Sequence, residues 1–579
     1  MSLTDWIVLC LTLLGVLLFG VYKSKGERNL HSYFKSSNSM TWFIILLSIM
    51  GTQASAITFL SAPGQAYTDG MRFVQYYFGL PLAMIVLCIT FVPIYHKLKV
   101  FTAYEFLEQR FDLKTRTLAS VLFLISRGLS TGISIYAPSI ILSSLLGWNI
   151  YYTNIFMGGL LIIYTVSGGA KAVAYTQMQQ LFIVFIGMFL AGYMVVNLLP
   201  EGMGFTDAIK VAAKMGKMNV IETKIDVTDP VWWKDKYNIW SGVIGGFFLA
   251  LSYFGTDQSQ VGRYLTAKSM KESRMGLLMN GLVKVPMQFG ILLIGALVFV
   301  FYLNYSSPIV FNQKQIDKTL ASQYGESFKE NQKAYEILNQ KKQVQVLELS
   351  AVIKSNDKRL IDKTELELQT TEKEAQLLRT KAKETIKKAD KLADTNDTNY
   401  IFLYFVVHHL PIGLIGLLIA MIFLSAWGSI AAALNSLAST SVIDIYKRFD
   451  KQEKTELHYY KASQWITLFW GIFSIAVAMF ASKLGSLIEA VNILGSLFYG
   501  TILGIFMVAF YMKSIRANAT FWAAVVTEIA VIVIYVADII SFLWLNVIGC
   551  LLVMIVAFVL NKLFGRKIVE TQNFSSLPR

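Results

Sequence analysis

The sequence predicts an all-α membrane protein of about thirteen transmembrane helices that carries one large helical insertion in water. Three observations point there. The 579 residues are 55% hydrophobic and only 15% charged, with a mean hydropathy of +0.52, whereas soluble domains carry about 25% charge. Apolar runs of roughly 18 to 28 residues recur along the chain, each long enough to cross about 30 Å of hydrocarbon. Between Asn312 and Tyr400, 17 basic and 15 acidic residues concentrate charge that the rest of the chain lacks.

In order, the apolar runs fall near 4–22, 41–68, 74–96, 117–146, 150–167, 175–199, 238–261, 276–303, 401–440, 462–482, 486–512, 519–538 and 543–561. The first is no cleavable signal, because no basic residue precedes it and a Lys-rich segment follows. Cys10, Cys88 and Cys550 sit inside these runs without metal-ligand spacing, so they read as packing residues rather than disulfide or zinc ligands.

The net charge of +15 is compatible with an anionic partner until it is sorted by loop. Segments after the odd-numbered spans hold 25 of the 52 basic residues, among them Lys23, Lys25, Arg28, Lys97, Arg263, Lys447, Arg448 and Arg566; the short loops opposite hold two, Arg72 and Lys483. That asymmetry orients the chain with its N-terminus outside and its C-terminus cytoplasmic in a cell membrane. The long outer segments 200–237 and 304–400 escape the rule. The excess is therefore an orientation signal, and nucleic acid is not an expected partner.

Two spans are interrupted. The second contains Gly-Thr-Gln-Ala-Ser-Ala from Gly51 to Ala56, then Pro63 and Gly64; the seventh contains Gly242, Gly245 and Gly246 and ends in Ser252, Thr256, Asp257 and Gln258. A lipid-facing helix must satisfy its own backbone, so such breaks mark protein-lined cavities. Broken helices five spans apart fit five-plus-five inverted repeats beginning at spans two and seven; packing by small residues is the plainer alternative. In the ninth span Ser425 and Ser429 share one helix face, with Asn435, Ser436, Ser439, Thr440 and Ser441 beyond. Hydroxyls beside freed carbonyls make an all-oxygen site suited to a hard cation; interhelical hydrogen bonding is the alternative. Arg127, Asp257, Lys284 and Glu489 are the candidate intramembrane charges, functional by default, although Asp257 and Lys284 fall near enough to a span end to be solvated.

Several strings make the chain resemble the solute:sodium symporter family over about 1–303 and 401–562. Ser-Ala-Ile-Thr-Phe-Leu-Ser-Ala-Pro-Gly-Gln-Ala-Tyr at 55–67, Thr-Ala-Tyr-Glu-Phe-Leu-Glu-Gln-Arg-Phe at 102–111 and Thr-Gly-Ile-Ser-Ile-Tyr-Ala-Pro at 131–138 look most like its iodide, multivitamin and monocarboxylate branch. The stretch 164–173 is similar to the family signature, and 255–265 and 434–447 add further matches. The resemblance implies an amino-acid/sodium symporter-like fold and sodium-coupled uptake of a small solute by alternating access. It implies sodium at Gly51, Ala54, Ser425, Gly428 and Ser429, where Gly428 replaces a usual hydroxyl residue. It places the solute at Thr58, Tyr77, Tyr136, Asp257 and Asn492, with Gln53 and Gln288 as further candidates. Some members hold a second sodium at an Asp in a Thr-Asp pair; here Gln177 follows Thr176, and a neutral amide offsets a cation's desolvation poorly, so one sodium per cycle is expected. The solute could be a sugar, a sialic-acid-like acid, a carboxylate or a vitamin.

The organisation that follows is a first helix and cytoplasmic loop (1–40), a first repeat (41–199), an outer loop (200–237), a second repeat (238–303 and 401–512), an insertion (304–400), and two further helices with a cytoplasmic tail (513–579). The insertion has no proline between Pro308 and Pro411 and abounds in Lys, Glu, Gln and Leu, which predicts long helices. A turn at Ser355, Asn356 and Asp357 and heptad-like spacing at Leu378, Ala382, Thr385, Ala389 and Leu392 predict a hairpin with arms at 326–354 and 358–394. A solvated, neutral insertion competes with one that docks a protein partner or covers the access path. No catalytic triad, metal cluster or nucleotide loop predicts an enzyme, and sodium is the expected coupling ion with no other cofactor. An uncoupled facilitator or a solute sensor would share the fold.

Overall fold

The computed structural model describes residues 1–24 and 40–564, apart from positions 227, 356, 392, 451 and 453 and the side chains of 20–24, 167–172, 174 and 175. Outside the described residues lie Lys25, Arg28 and Arg566, the side chain of Lys23, Asn356 of the predicted turn, Leu392 of the heptad, and most side chains of the 164–173 string. The described residues are helical, with a single isolated bridge between Met40 and Ala267.

The chain opens with α1 (Leu3–Ser24). The second predicted span is α2 (Trp42–Gln53) and α3 (Ala56–Asp69), and the third is α4 (Leu80–Ile89) and α5 (Phe91–Leu98). Then come α6 (Leu113–Leu146) and α7 (Ile150–Asn197), the seventh span as α8 (Gly246–Gly255) and α9 (Gln258–Tyr264), and α10 (Met270–Asn304). The insertion is α11 (Gly325–Ser355) and α12 (Lys358–Ala389). The chain continues through α13 (Thr398–His409), α14 (Leu414–Thr440), α15 (Glu456–Ala478), α16 (Leu487–Tyr511), α17 (Ala517–Val536) and α18 (Phe542–Phe564). Among the described residues, eight helices are long and apolar enough to cross a membrane, and four shorter ones are apolar. α15 is in neither group, its apolar residues being diluted by Lys461, Ser463, Gln464 and Thr467. The protein is a multi-pass membrane protein.

Two predicted boundaries change. The run 401–440 is not one span: α13 ends at His409, Pro411 supplies no N–H, and Gly413 turns the chain at φ 89° before α14 begins. α7 is continuous through both the fifth and sixth predicted spans, yet the Tyr164 and Thr176 hydroxyls are 2.9 Å apart. Twelve residues of straight helix would separate them by about 18 Å, so α7 bends sharply between them. Its two limbs then pack as two spans would: Gly158 against Ile475 of α15, and Gly187 against Met421 of α14.

Both predicted breaks are present. α2 ends at Gln53, Ala54 and Ser55 are non-helical, and α3 starts at Ala56; α8 and α9 are separated at Thr256 and Asp257. The hairpin forms with arms close to those predicted, except that α12 stops five residues early, at Ala389. Its seam holds Phe328 and Tyr335 against Ala375, Ala382 and Ile386. The hairpin also docks on the segment before α8, through Lys354 to Asp207 (3.3 Å) and Lys214 to Glu365 (2.8 Å).

Candidate functional site

The break in α2 frees particular carbonyls. In a continuous helix Ser55 N–H would donate to Gly51 and Thr58 N–H to Ala54. Here Ser55 N–H donates to the Gln53 carbonyl (3.1 Å) and Thr58 N–H to the Ser55 carbonyl (2.9 Å). The Gly51 and Ala54 carbonyls therefore lose those helical donors and are available to a cation. On α14, the Ser425 hydroxyl donates to the Met421 carbonyl and Ser429 to the Ser425 carbonyl, each at 2.9 Å. Hydroxyls that spend their proton on the preceding turn keep their lone pairs free to accept.

Gln177 of α7 ties these two helices together. Its Nε2 donates to Thr52 Oγ1 (3.1 Å) and to the Gly428 carbonyl (3.0 Å), while its Oε1 accepts from Ser48 Oγ (2.9 Å). Those two oxygens are thus within about 6 Å of each other across α2 and α14. A Cβ at Gly428 would come 2.3 Å from Gln180 Oε1 and 3.1 Å from Gln177 Cγ, so a side chain here requires the Gln180 amide to move.

A cavity of about 120 Å³ opens beside this junction. Thr52, Gln53, Ser55 and Thr58 line it from the break, Ser429 from α14, Tyr76 and Tyr77 from the turn before α4, and Asn492 and Tyr499 from α16. The facing wall is α6, which contributes Arg127, Ser130, Thr131 and Ser134. Of the predicted solute residues, Gln53, Thr58, Tyr77 and Asn492 line the cavity. Tyr136 and Gln288 do not: both are buried, Tyr136 on α6 away from the cavity and Gln288 on α10 with neither amide atom hydrogen-bonded. Asp257 also stays outside, but acts on the wall through its neighbours.

Asp257 is buried, not solvated near a span end, and so is Lys284; that expectation is corrected by the way α8, α9 and α10 pack over them. Asp257 caps α9 by accepting from Ser259 N–H (2.8 Å), accepts from the Tyr499 hydroxyl (2.8 Å), and lies 3.9 Å from Arg127. Arg127 also donates to Ser259 and sits 5.7 Å from the Tyr253 ring, and its Nε is buried with no hydrogen-bond partner. The cavity wall therefore presents one incompletely satisfied guanidinium with hydroxyls on the same helix face. Arg127, Ser130, Thr131 and Ser134 follow i, i+3, i+4, i+7 spacing, a polar stripe on an apolar helix that would have revealed this wall from sequence.

Two polar clusters tie together the helices that wall the cavity. On the side that carries the insertion, the Tyr76 hydroxyl donates to Asn492 (3.0 Å), and beyond it Glu489 accepts from Tyr237 (3.0 Å) and Lys236 (2.9 Å). On the opposite side, Arg116 pairs with Asp444 (2.5 Å) and Glu108 (2.7 Å), and the Thr102 hydroxyl donates to Asp444 (2.6 Å).

Comparison with known proteins bears on this geometry. The model of the "Sodium:solute symporter family" matches residues 33–322 and 391–527, which leaves the hairpin outside. The sodium/sialic acid symporter SiaT of Proteus mirabilis is 26% identical over 566 residues, covering 96% of this chain and 94% of that one. The human sodium/iodide cotransporter is 29% identical over 287 residues, 48% of this chain and 42% of its own length. A solved sodium-coupled sialic acid symporter, in a substrate-bound outward-open state, superposes with a TM-score of 0.74 at 24% identity, over 97% of this chain and 98% of that chain.

Proposed function

The chain belongs to the sodium:solute symporter family, and from that premise we propose that it takes up a small carboxylate-bearing solute of the sialic-acid class with one sodium ion per cycle. One observation carries this reading: the oxygens at the α2 break and Ser429 face Arg127, Ser130, Thr131 and Ser134 across a single cavity. Sodium would be held by the Gly51 and Ala54 carbonyls and the Ser425 and Ser429 hydroxyls; Gly428 offers no side chain, and its carbonyl is engaged by Gln177. The carboxylate would be held at Arg127, which a neutral solute has no reason to require. Gln53, Thr58, Tyr77 and Asn492 would contact the rest of the solute, with Asp257 orienting Arg127.

Ser429 holds the ion and lines the solute cavity, and Thr52 and Gln53 of that cavity adjoin Gly51 and Ala54, so the ion joins α2 to α14 and completes the solute cavity in one step. The N-terminus lies outside, the insertion outside, and the C-terminus in the cytoplasm. The two repeats then rock: the Tyr76–Asn492 contact opens outward and the Arg116–Asp444–Glu108 cluster opens inward. The energetics depend on solute charge. With a neutral solute, one sodium carries net charge, and about 2.3 kcal/mol per 100 mV adds to about 1.4 kcal/mol from a tenfold gradient, supporting accumulation on the order of 500-fold. With a carboxylate the cycle is electroneutral, and a tenfold gradient supports about tenfold accumulation.

Ser429→Ala tests the ion site. Hydrogen bonds to charged groups contribute about 1.5–3 kcal/mol, and losing a comparable hydroxyl contact should raise the half-saturating sodium concentration for uptake into proteoliposomes about tenfold or more. Unchanged sodium dependence would sink the assignment.

A further inference from the structure

The hairpin is outside the family match, yet it walls a second cavity of about 750 Å³ on the outer face. One side of that space is α12, which turns Glu365, Gln369, Glu372, Gln376, Arg379 and Lys383 toward it. Their spacing of three and four residues marks a single helix face. The other side is the end of α3, at Tyr67, Thr68 and Asp69, with the segment from Ala213 to Asn219 and Phe299 of α10. The space therefore sits over α3, about 16 Å along that helix from Thr58 in the solute cavity.

The charges here do not balance. Glu365 is engaged by Lys214 (2.8 Å) and Glu372 by Lys342 (3.0 Å). Asp397 alone serves two cations, Arg379 (2.7 Å) and Lys383 (2.6 Å). Arg379 is buried, its guanidinium lies 5.1 Å from the Phe311 ring and interacts with the Tyr335 hydroxyl, and its second terminal nitrogen, Nη1, has no partner at hydrogen-bond geometry. Lys217 donates to the Thr68 carbonyl (2.5 Å), lies 4.6 Å from the Phe299 ring, and interacts at longer range with Glu372 and Asp69. A buried guanidinium arm without an acceptor is costly unless a guest supplies one, and even with Asp69 counted beside Glu365, Glu372 and Asp397 the cations Lys214, Lys217, Lys342, Lys373, Arg379 and Lys383 are in excess. The guest that fits is an anion, and a planar carboxylate matches the guanidinium best.

We propose that the insertion, the end of α3 and the segment 213–219 form an outer binding site that holds the carboxylate-bearing solute on Arg379 before it enters the transport cavity. The proposal rests on the acidic-solute reading above, and it gives the insertion a part in solute capture. The site contains none of the sodium-site oxygens, so its occupancy is independent of sodium. Capture close to the gate raises the local solute concentration, and so it lowers the solute concentration needed for half-maximal uptake without changing the maximal rate.

Calorimetric titration of the purified full chain with N-acetylneuraminic acid, in sodium and in choline, tests this. Two classes of site are expected, one sodium-dependent and one sodium-independent. Arg379→Lys keeps a charge opposite Asp397 but removes the free guanidinium arm; it should abolish only the sodium-independent class and raise the uptake KM about three- to tenfold at unchanged maximal rate. Retention of the sodium-dependent class in that variant shows that the protein is folded. Arg127→Gln combined with Asp257→Asn should do the reverse. A single, sodium-dependent class in the wild type overturns the outer site and leaves the acidic-solute reading standing. No binding in either salt overturns both.

Discussion

Removal of the Arg127 guanidinium separates an acid transporter from a transporter of neutral solutes. Truncating one partner of a buried, hydrogen-bonded charge pair costs about 2–5 kcal/mol. Asp257, 3.9 Å away, already offsets part of the Arg127 charge, so the lower half of that range applies. About 2–3 kcal/mol corresponds to roughly 30- to 150-fold in the KM for the acid. The single variant Arg127→Gln would leave Asp257 as a buried unpaired carboxylate, a strongly destabilising arrangement. The informative protein is therefore Arg127→Gln with Asp257→Asn, in which the Tyr499 and Ser259 donors to residue 257 keep an acceptor. The assay is sodium-driven uptake into proteoliposomes of labelled N-acetylneuraminic acid and, in parallel, of the neutral sugar N-acetylmannosamine. The double variant should lose affinity for the acid by the stated factor, retain its sodium activation, and discriminate less between the two solutes. A KM for the acid within threefold of wild type would refute the reasoning, because it would mean that the carboxylate lies elsewhere.

Three further outcomes follow from individual side chains. Gln177 directs an N–H donor at Thr52 and Gly428 where a second cation would need an acceptor, so wild-type uptake of an acid should carry no current; Gln177→Asp should bring the sodium Hill coefficient from one toward two and make transport electrogenic, and a wild-type ratio of two sodium ions would refute the assignment. Lys284 is fully buried, with the Tyr77 ring at 5.4 Å and no hydrogen-bond partner for its amine; Lys284→Met removes an unpaired buried cation and should raise the melting temperature in the absence of solute, whereas a fall would mean an unseen compensating contact. Asp394, half-buried before α13, has its carboxyl pushed up to about 7 by burial and by Asp397, against the Asn396 N–H and the Lys383 and Lys387 charges. The folded state thus favours the protonated form: its stabilisation is complete below the ordinary value of 3.8 and is lost as pH rises through about 7. Thermal unfolding should shift upward from pH 8 to pH 5, and Asp394→Asn should flatten that slope; equal slopes in the two proteins would refute it.

The parts of this molecule that were legible in the sequence are those governed by local rules. Apolar length placed the helices, because a span must satisfy its own backbone in lipid, and the Gly-Thr-Gln-Ala-Ser-Ala string located the break at which the Gly51 and Ala54 carbonyls lose their helical donors. The hairpin was legible for the same reason, its long run without proline leaving little but helix. What was lost depends on three-dimensional packing. No periodicity distinguishes a sharply bent helix, as α7 is, from two helices joined by a loop, and Pro411 with Gly413 ends a helix inside an apolar run that hydropathy reads as continuous. Asp257 looked close to solvent because sequence distance from a span end says nothing about what packs over it.

Gly428 shows why the ion site resists reading one residue at a time. By itself it is a missing hydroxyl, a defect in a sodium site. Set against α7 it is the position that lets Gln180 approach, since a Cβ there would fall 2.3 Å from Gln180 Oε1, and it supplies the carbonyl that Gln177 grips. Gly51 follows the same logic, its absent side chain leaving room for Gln177, whose Cβ would lie 3.0 Å from one added there. Two glycines on α2 and α14 and two glutamines on α7 thus form one steric unit in which an amide donor lies between the helices that would hold sodium. Restoring a hydroxyl at Gly428 alone should therefore weaken transport by displacing Gln180, whereas Gly428→Ser combined with Gln180→Ala should recover it. If Gly428→Ser by itself improved sodium affinity, the glutamine pair would be a bystander and the one-sodium mechanism would lose its structural basis.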